Sequence, residues 1–257
     1  MSLKISPFHF SIATRVRNHH IIKLMAPEKN DNILDVGCGV GYFSQLLSNY
    51  GAKMSGIDIT PESIDFCKKT IGDNFFVGNA SKLKFEDSYF DKILCSEVLE
   101  HLKDDKGALD EMFRVLKPNG IIVITVPCTK GIFGSKIKNI MHDHHDGPEK
   151  HEREGYTKRE ILNILKKANF EPEKTKYAML FFVELFMGLT KLIYSRKTGD
   201  DHLDSQTDVF SISGTILFRI YKVFFPLILF IGLIDDFIWS KIMPGHMIIV
   251  KAIKKST

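Results

Sequence analysis

The sequence predicts an α/β chain with a doubly wound, mostly parallel seven-stranded sheet and an apolar helical insertion before the last strand. Three observations carry this. Between residues 33 and 126, short apolar runs alternate with stretches of helical spacing, the pattern of strands linked by crossover helices. The run Ile33–Val36 leads into glycines at alternate positions, Gly37, Gly39 and Gly41, followed by Tyr42, Phe43, Leu46, Leu47 and Tyr50 at helical spacing. Such a strand, glycine turn and helix open a nucleotide-binding unit. Ile121–Val126 is β-branched and apolar throughout, as a strand buried on both faces requires.

Length and charge bound the function. A chain of 257 residues holds one α/β domain with an elaboration. Its 35 basic and 31 acidic residues leave a net charge of +4, too balanced for a nucleic-acid-binding surface. Cys38, Cys67, Cys95 and Cys128 are scattered without C-x-x-C spacing, so reduced core thiols in a cytoplasmic protein are expected. The first residues lack the apolar core of a signal peptide, and no internal repeat is visible.

In chain order, residues 9–26 read as a leading helix stopped by Pro27, carrying Arg15, Arg17, His19 and His20. Ile33–Val36 is the first strand and Met54–Ile57 the second. Asp58 ends the second strand, about 20 residues beyond the turn, where an acid suits a two-pronged grip on ribose hydroxyls. The competing reading is a tight turn with a helix-capping Asp. Thr60-Pro61-Glu62 then starts a helix, with Thr60 expected as the N-cap. Phe75–Gly78 is a third strand leading to Asn79 and Ala80. Phe90–Cys95 is a fourth, running into Ser96 and Glu97 at the ligand-binding edge of the sheet. Ala108, Leu109, Met112, Phe113 and Leu116 mark a helix, and a Lys117–Gly120 turn enters the fifth strand.

Four stretches carry a family resemblance. Asp35-x-Gly37-x-Gly39-x-Gly41 departs from the G-x-G-x-x-G of dinucleotide folds and resembles motif I of the class I S-adenosylmethionine-dependent methyltransferases. Phe90-Asp-x-Ile-x-x-x-Glu97-Val-Leu-Glu-His101, Leu116–Ile124 and His151-x-Arg153-x-x-Tyr156-Thr157 resemble the type 11 subfamily, which includes the O-methyltransferases of ubiquinone biosynthesis. The resemblance covers about residues 30–170 and implies a Rossmann-like methyltransferase fold with S-adenosyl-L-methionine as cofactor. It implies that Asp35 and the three glycines pack around the cofactor and that Asp58 takes the ribose. Asn79 takes the adenine, in place of the family's Asp; an amide oxygen accepts the same bond without the charge. An Asx turn is the competing reading of Asn79. Ile59, Ala80, Ser96 and Glu97 complete the expected contacts, Glu97 lining the methionine side. The leading helix caps the cleft in such enzymes, so Arg15 meets the methionine carboxylate or is simply one of a solvated basic face.

Residues 128–155 read as a loop over the substrate side. His142, His144, His145 and His151, with Asp143, Asp146 and Glu152, fit no standard zinc spacing, so no metal is expected. For methyl transfer to a hydroxyl, His101, His145 and His151 are the candidate bases. Thr157-Lys-Arg-Glu160 is a capping box that opens a helix, and Glu171–Ala178 is a sixth strand. The candidate for strand seven is His246–Lys254. The methyltransferase domain is therefore read as 1–179 plus 246–257, with 180–245 as an apolar insertion.

Within the insertion, Leu180–Tyr194 and Ile216–Met243 are strongly apolar, but the charge-free run from Val223 to Ile234 is shorter than a spanning helix needs. The open readings are a lid over an apolar substrate, an interfacial element that dips into a bilayer through 180–243, a dimer interface, or a core extension. The first two combine naturally into a lid that admits a lipid at the inner face of the membrane. The expected reaction is methyl transfer to a hydroxyl of an apolar, lipid-like small molecule. The alternatives are a soluble acceptor, a non-catalytic cofactor-binding protein and a nicotinamide oxidoreductase.

Overall fold

A computed structural model describes residues 11–129, 152–180, 182–183, 185–186, 216–240 and 243–255. Seven strands form one sheet in the order β3-β2-β1-β4-β5-β7-β6. They are β1 (Asn32–Val36), β2 (Lys53–Asp58), β3 (Phe75–Val77), β4 (Phe90–Ser96), β5 (Leu116–Pro127), β6 (Glu171–Ala178) and β7 (Met247–Ile253). β1 pairs in parallel with β2 and β4, β2 with β3, and β4 with β5. β7 runs antiparallel to β5. The Lys254 N–H donates to Gly120 O at 3.1 Å near the start of β5, and Cys128 N–H donates to His246 O at 2.7 Å past its end.

The alternation of apolar runs and helical stripes dictates the parallel pairing. β1, β4 and β5 are buried along most of their length and read as continuous apolar runs because both faces are covered. The chain winds outward from β1 to β2 and β3, then returns to place β4 on the other side of β1. Crossovers leaving β1 and β4 in opposite directions open a crevice at their carboxyl ends, where ligands of such sheets bind.

The helices are α1 (Ile12–Met25), α2 (Tyr42–Ser48), α3 (Pro61–Thr70), α4 (Asp105–Val115), α5 (Lys158–Lys167) and α6 (Ile216–Trp239). The capping box expected at Thr157 is formed: the Glu160 N–H donates to the Thr157 hydroxyl, and the Thr157 N–H donates to the Glu160 carboxylate at 2.7 Å. Thr60 is different. Its side chain makes no capping bond, and its N–H donates instead to Asp58 Oδ1 at 2.9 Å. Thr60 keeps the N-cap position, with extended backbone, while Asp58 accepts the N–H of that cap residue rather than those of the first helical turn.

The chain divides into two compact units. One comprises His20–Pro127, His151–Lys176 and Ile248–Thr257, and holds nearly all of the sheet. The other comprises Met1–His19, Cys128–Lys150 and Tyr177–Met247. No helix among the described residues is long and apolar enough to cross a membrane.

Candidate functional site

The turn after β1 is built from the main chain. Gly37, Gly39 and Gly41 all have positive φ, at 70°, 49° and 77°. Their reasons differ. A Cβ on Gly37 would lie 2.2 Å from Val98 Cγ2, and one on Gly41 would lie 2.3 Å from Ile71 Cδ1 and 2.9 Å from Cys67 Sγ. These two glycines let neighbouring protein groups close on the turn. A Cβ on Gly39 meets nothing within 4 Å, so only this glycine borders open space.

The amides of the turn are already engaged. Gly37 and Cys38 N–H both donate to Ile57 O, at 2.8 and 3.1 Å, and Gly41 N–H donates to Cys38 O at 2.9 Å. Gly39 N–H donates to Asp58 Oδ2 at 2.8 Å. A pyrophosphate site needs such amides aimed at the ligand; here four of them serve the turn itself.

Two carboxylates sit at the turn. Asp58 spends one acceptor position on Gly39 and one on Thr60. An ionised carboxylate offers about four, so two remain for hydroxyl donors. Asp35 is 2% exposed and accepts the Ser44 hydroxyl at 2.7 Å. Burial, reinforced by the charge of Asp58 and opposed by the Ser44 bond, pushes its pKa up to about 7. Asp35 is thus enclosed by protein and ties β1 to α2. Burial likewise raises the Cys38 and Cys67 thiols, which keeps both protonated.

Asn79 follows β3 in an Asx turn, its Oδ1 accepting Ser81 N–H at 2.8 Å. The exposed amide keeps its NH2 group and a second lone pair on the oxygen. It is fixed to the second strand because Gly78 N–H donates to Asp58 O at 2.9 Å. Ala80 is buried, whereas Ile59, next to Asp58, is 53% exposed and offers apolar surface at the strand ends.

At the end of β4, Glu97 stands at φ 57°, a conformation that costs a side-chain-bearing residue roughly 1–2 kcal/mol. Its N–H donates to Thr125 O at 3.0 Å, and the buried Thr125 hydroxyl donates to Glu97 Oε1 at 3.3 Å. Ser96 Oγ lies 2.9 Å from the same hydroxyl. Thr125 was absent from the sequence reading because it sits within an apolar strand and pairs across the sheet.

His101 ends a 3-10 turn, Leu99–His101, and is half-buried. The loop before α5 clamps that turn. Glu152 and Arg153 N–H both donate to Glu100 O, at 3.0 and 3.2 Å. The Tyr156 hydroxyl contacts Leu99 O at 3.1 Å and Asp105 Oδ2 at 2.9 Å. Arg153 pairs with the same carboxylate oxygen at 3.0 Å and lies 4.7 Å from the Tyr156 ring centroid. Burial, then the bond to Asp105, raises the Tyr156 pKa, so its hydroxyl stays a donor. His145 and His151, like the other histidines of the expected metal-free loop, lie outside the described residues. Among the described residues, no group of three potential ligands could hold a metal ion.

Residues 34–124 match the family model described as "Methyltransferase domain". Over 106 residues the chain is 36% identical to norajmaline N-methyltransferase of Rauvolfia serpentina, covering 38% of this chain and 36% of that one. Over 122 residues it is 30% identical to the ubiquinone biosynthesis O-methyltransferase of Coxiella burnetii, covering 46% and 51%. The chain therefore spans a third to a half of the length of these relatives. A SAM-dependent methyltransferase from Archaeoglobus fulgidus shares the fold, with a TM-score of 0.57 at 18% identity over 96% of this chain and 100% of that one. Over residues 34–124 the chain is thus similar to a methyltransferase domain. The cofactor such a domain implies is S-adenosyl-L-methionine.

Proposed function

We propose that the protein is an S-adenosyl-L-methionine-dependent methyltransferase acting on a hydroxyl of an apolar, lipid-like small molecule. The observation that carries the cofactor class is the glycine turn. Four of its amides are consumed internally, its open side is a bare Gly39, and the Asp58 carboxylate stands beside it. Those surroundings disfavour a pyrophosphate, which needs amides aimed at the ligand, and leave Asp58 to meet neutral hydroxyls.

The bound cofactor supplies an activated sulfonium methyl. The chain's part is to position and to exclude water. In this reading Asp58 holds the two ribose hydroxyls with its remaining lone pairs, Asn79 meets the adenine edge, and Ile59 lies against its ring. Glu97, held by Thr125, lines the methionine side. His101, on the clamped turn, takes the proton of the acceptor hydroxyl, with His145 and His151 as the other candidates. The acceptor class draws on the similarity to a ubiquinone-biosynthesis enzyme and on the apolar insertion. An acceptor of this kind partitions into bilayers, so the same reading places the protein in the cytoplasm, in peripheral contact with the inner face of a membrane.

Calorimetric titration with S-adenosylmethionine and with NAD tests the cofactor. Binding of the former alone, abolished in Asp58→Ala, is expected; preference for NAD, or unchanged affinity in the variant, overturns the reading. Transfer of a radiolabelled methyl group into fractionated lipid and small-molecule extracts tests the acceptor. Label in the water-soluble fraction alone overturns the lipid assignment, and binding without any S-adenosylhomocysteine formed identifies a non-catalytic protein.

A further inference from the structure

We infer that α6 is a membrane-docking helix, which lies in the plane of an anionic lipid surface with one face immersed. This names the lipid partner of the membrane contact proposed above and rests on that reading for nothing else, since the helix face is independent of what the glycine turn binds.

The two faces of α6 are unlike. The inner stripe is Phe225, Gly232, Asp236 and Ser240, spaced by seven, four and four residues, all buried. At Gly232 an added Cβ would come within 3.1 Å of Val183 and 3.4 Å of Ile12, so the helix backbone packs closely there. The acidic pair belongs to this inner side. Asp236 is fully buried and accepts the N–H groups of Met179 and Leu180, both at 3.2 Å. Asp235 accepts that of Phe182 at 2.9 Å. These carboxylates bind the chain leaving β6.

With the acids turned inward, the outer face is uncharged from Val223 onward. Val223, Leu227, Phe230, Ile234 and Phe237 recur at four- and three-residue steps, with exposures of 74, 56, 61, 40 and 83%. Such a stripe of large apolar side chains on one soluble helix marks an interaction surface. The helix does not span a bilayer: its charge-free run, 223–234, is 12 residues, about 18 Å against about 30 Å of hydrocarbon. Its length and its exposed apolar side chains fit an in-plane helix, with aromatic rings at the headgroup boundary.

Charge selects the partner. Among the described residues of α6 the exposed charges are Arg219 and Lys222, one turn before the stripe, and both acids of the helix are spent inside. Lipid phosphates complement those cations. The corresponding helix of a second copy offers them no outward carboxylate.

Trp239, 42% exposed at the end of α6, is the only tryptophan of the chain and reports directly. The full chain is mixed with vesicles of phosphatidylcholine and with vesicles containing phosphatidylglycerol. A blue shift of Trp239 emission, quenching by brominated lipid and co-sedimentation with the anionic vesicles are expected. Phe230→Asp combined with Phe237→Asp alters only exposed positions and should lower partitioning at least tenfold. Arg219→Gln and Lys222→Gln should each lower it about fivefold on anionic vesicles, with little effect on neutral ones. A blue shift that follows protein concentration without lipid, with self-association in sedimentation, overturns the proposal in favour of a dimer face. So does vesicle binding unchanged in the double variant. Cofactor titration on the same samples keeps the two proposals apart, because loss of either binding leaves the other measurable.

Discussion

At the scale of single residues, the turn separates two kinds of glycine that look alike in the sequence. Gly41→Ala forces a methyl against Ile71 and Cys67, and should cost about 2 kcal/mol or more in a denaturant titration. Gly39→Ala meets no protein atom, so its stability cost should stay near the ~1 kcal/mol of the left-handed backbone, while cofactor affinity measured by calorimetry falls at least tenfold. Asp35 gives a pH signature. Its folded pKa of about 7 stands above the ordinary 3.8, so the folded chain holds this proton more tightly than the unfolded one. The contribution is complete below pH 3.8 and is lost as pH rises towards 7, at about 1.4 kcal/mol per pH unit. Asp35→Asn keeps an acceptor for Ser44 without the charge. Its stability relative to the parent chain should therefore rise across that window, read from denaturant midpoints at several pH values; parallel curves would contradict the buried carboxyl.

At the scale of elements, what was legible depended on how local the determining contacts are. The Thr157 capping box could be read directly, because its three-residue spacing is local. Thr60 was legible as the N-cap position, but the lack of a capping bond at its hydroxyl was not. The pairing of Asp236 with Met179 lies 57 positions away along the chain, and local pattern carries no sign of it. The family run around Arg153 and Tyr156 was visible, but its purpose, clamping the turn that carries His101, needed the fold. Tyr156→Phe removes a hydroxyl placed between Leu99 O and Asp105. It should cost about 1–2 kcal/mol and lower kcat for methyl transfer, while cofactor affinity stays within twofold. A kcat equal to the parent's would show that the clamp only stabilises.

At the scale of the whole molecule, the mostly parallel sheet followed from alternation, and the cofactor edge followed from the sheet. The division of the chain was less legible. Among the described residues, Gly232 of α6 packs against Ile12 of α1, an association made through space rather than sequence. Hydrogen exchange should reflect the layering: amides of β1, β4 and β5 slowest, and those of the three-residue edge strand β3 among the fastest of the sheet. Fast exchange in β4 would contradict its central place. The position of β7 between β5 and β6 has a kinetic corollary. Sixty-eight residues, 179–246, separate Ala178 from Met247, so β6 emerges during synthesis well before the neighbour that completes its ladder. Closing so long a loop is slow, and until then two sticky borders wait for one late-arriving ribbon. Ribosome-bound chains halted inside that interval should recruit chaperones, and those released after it should not.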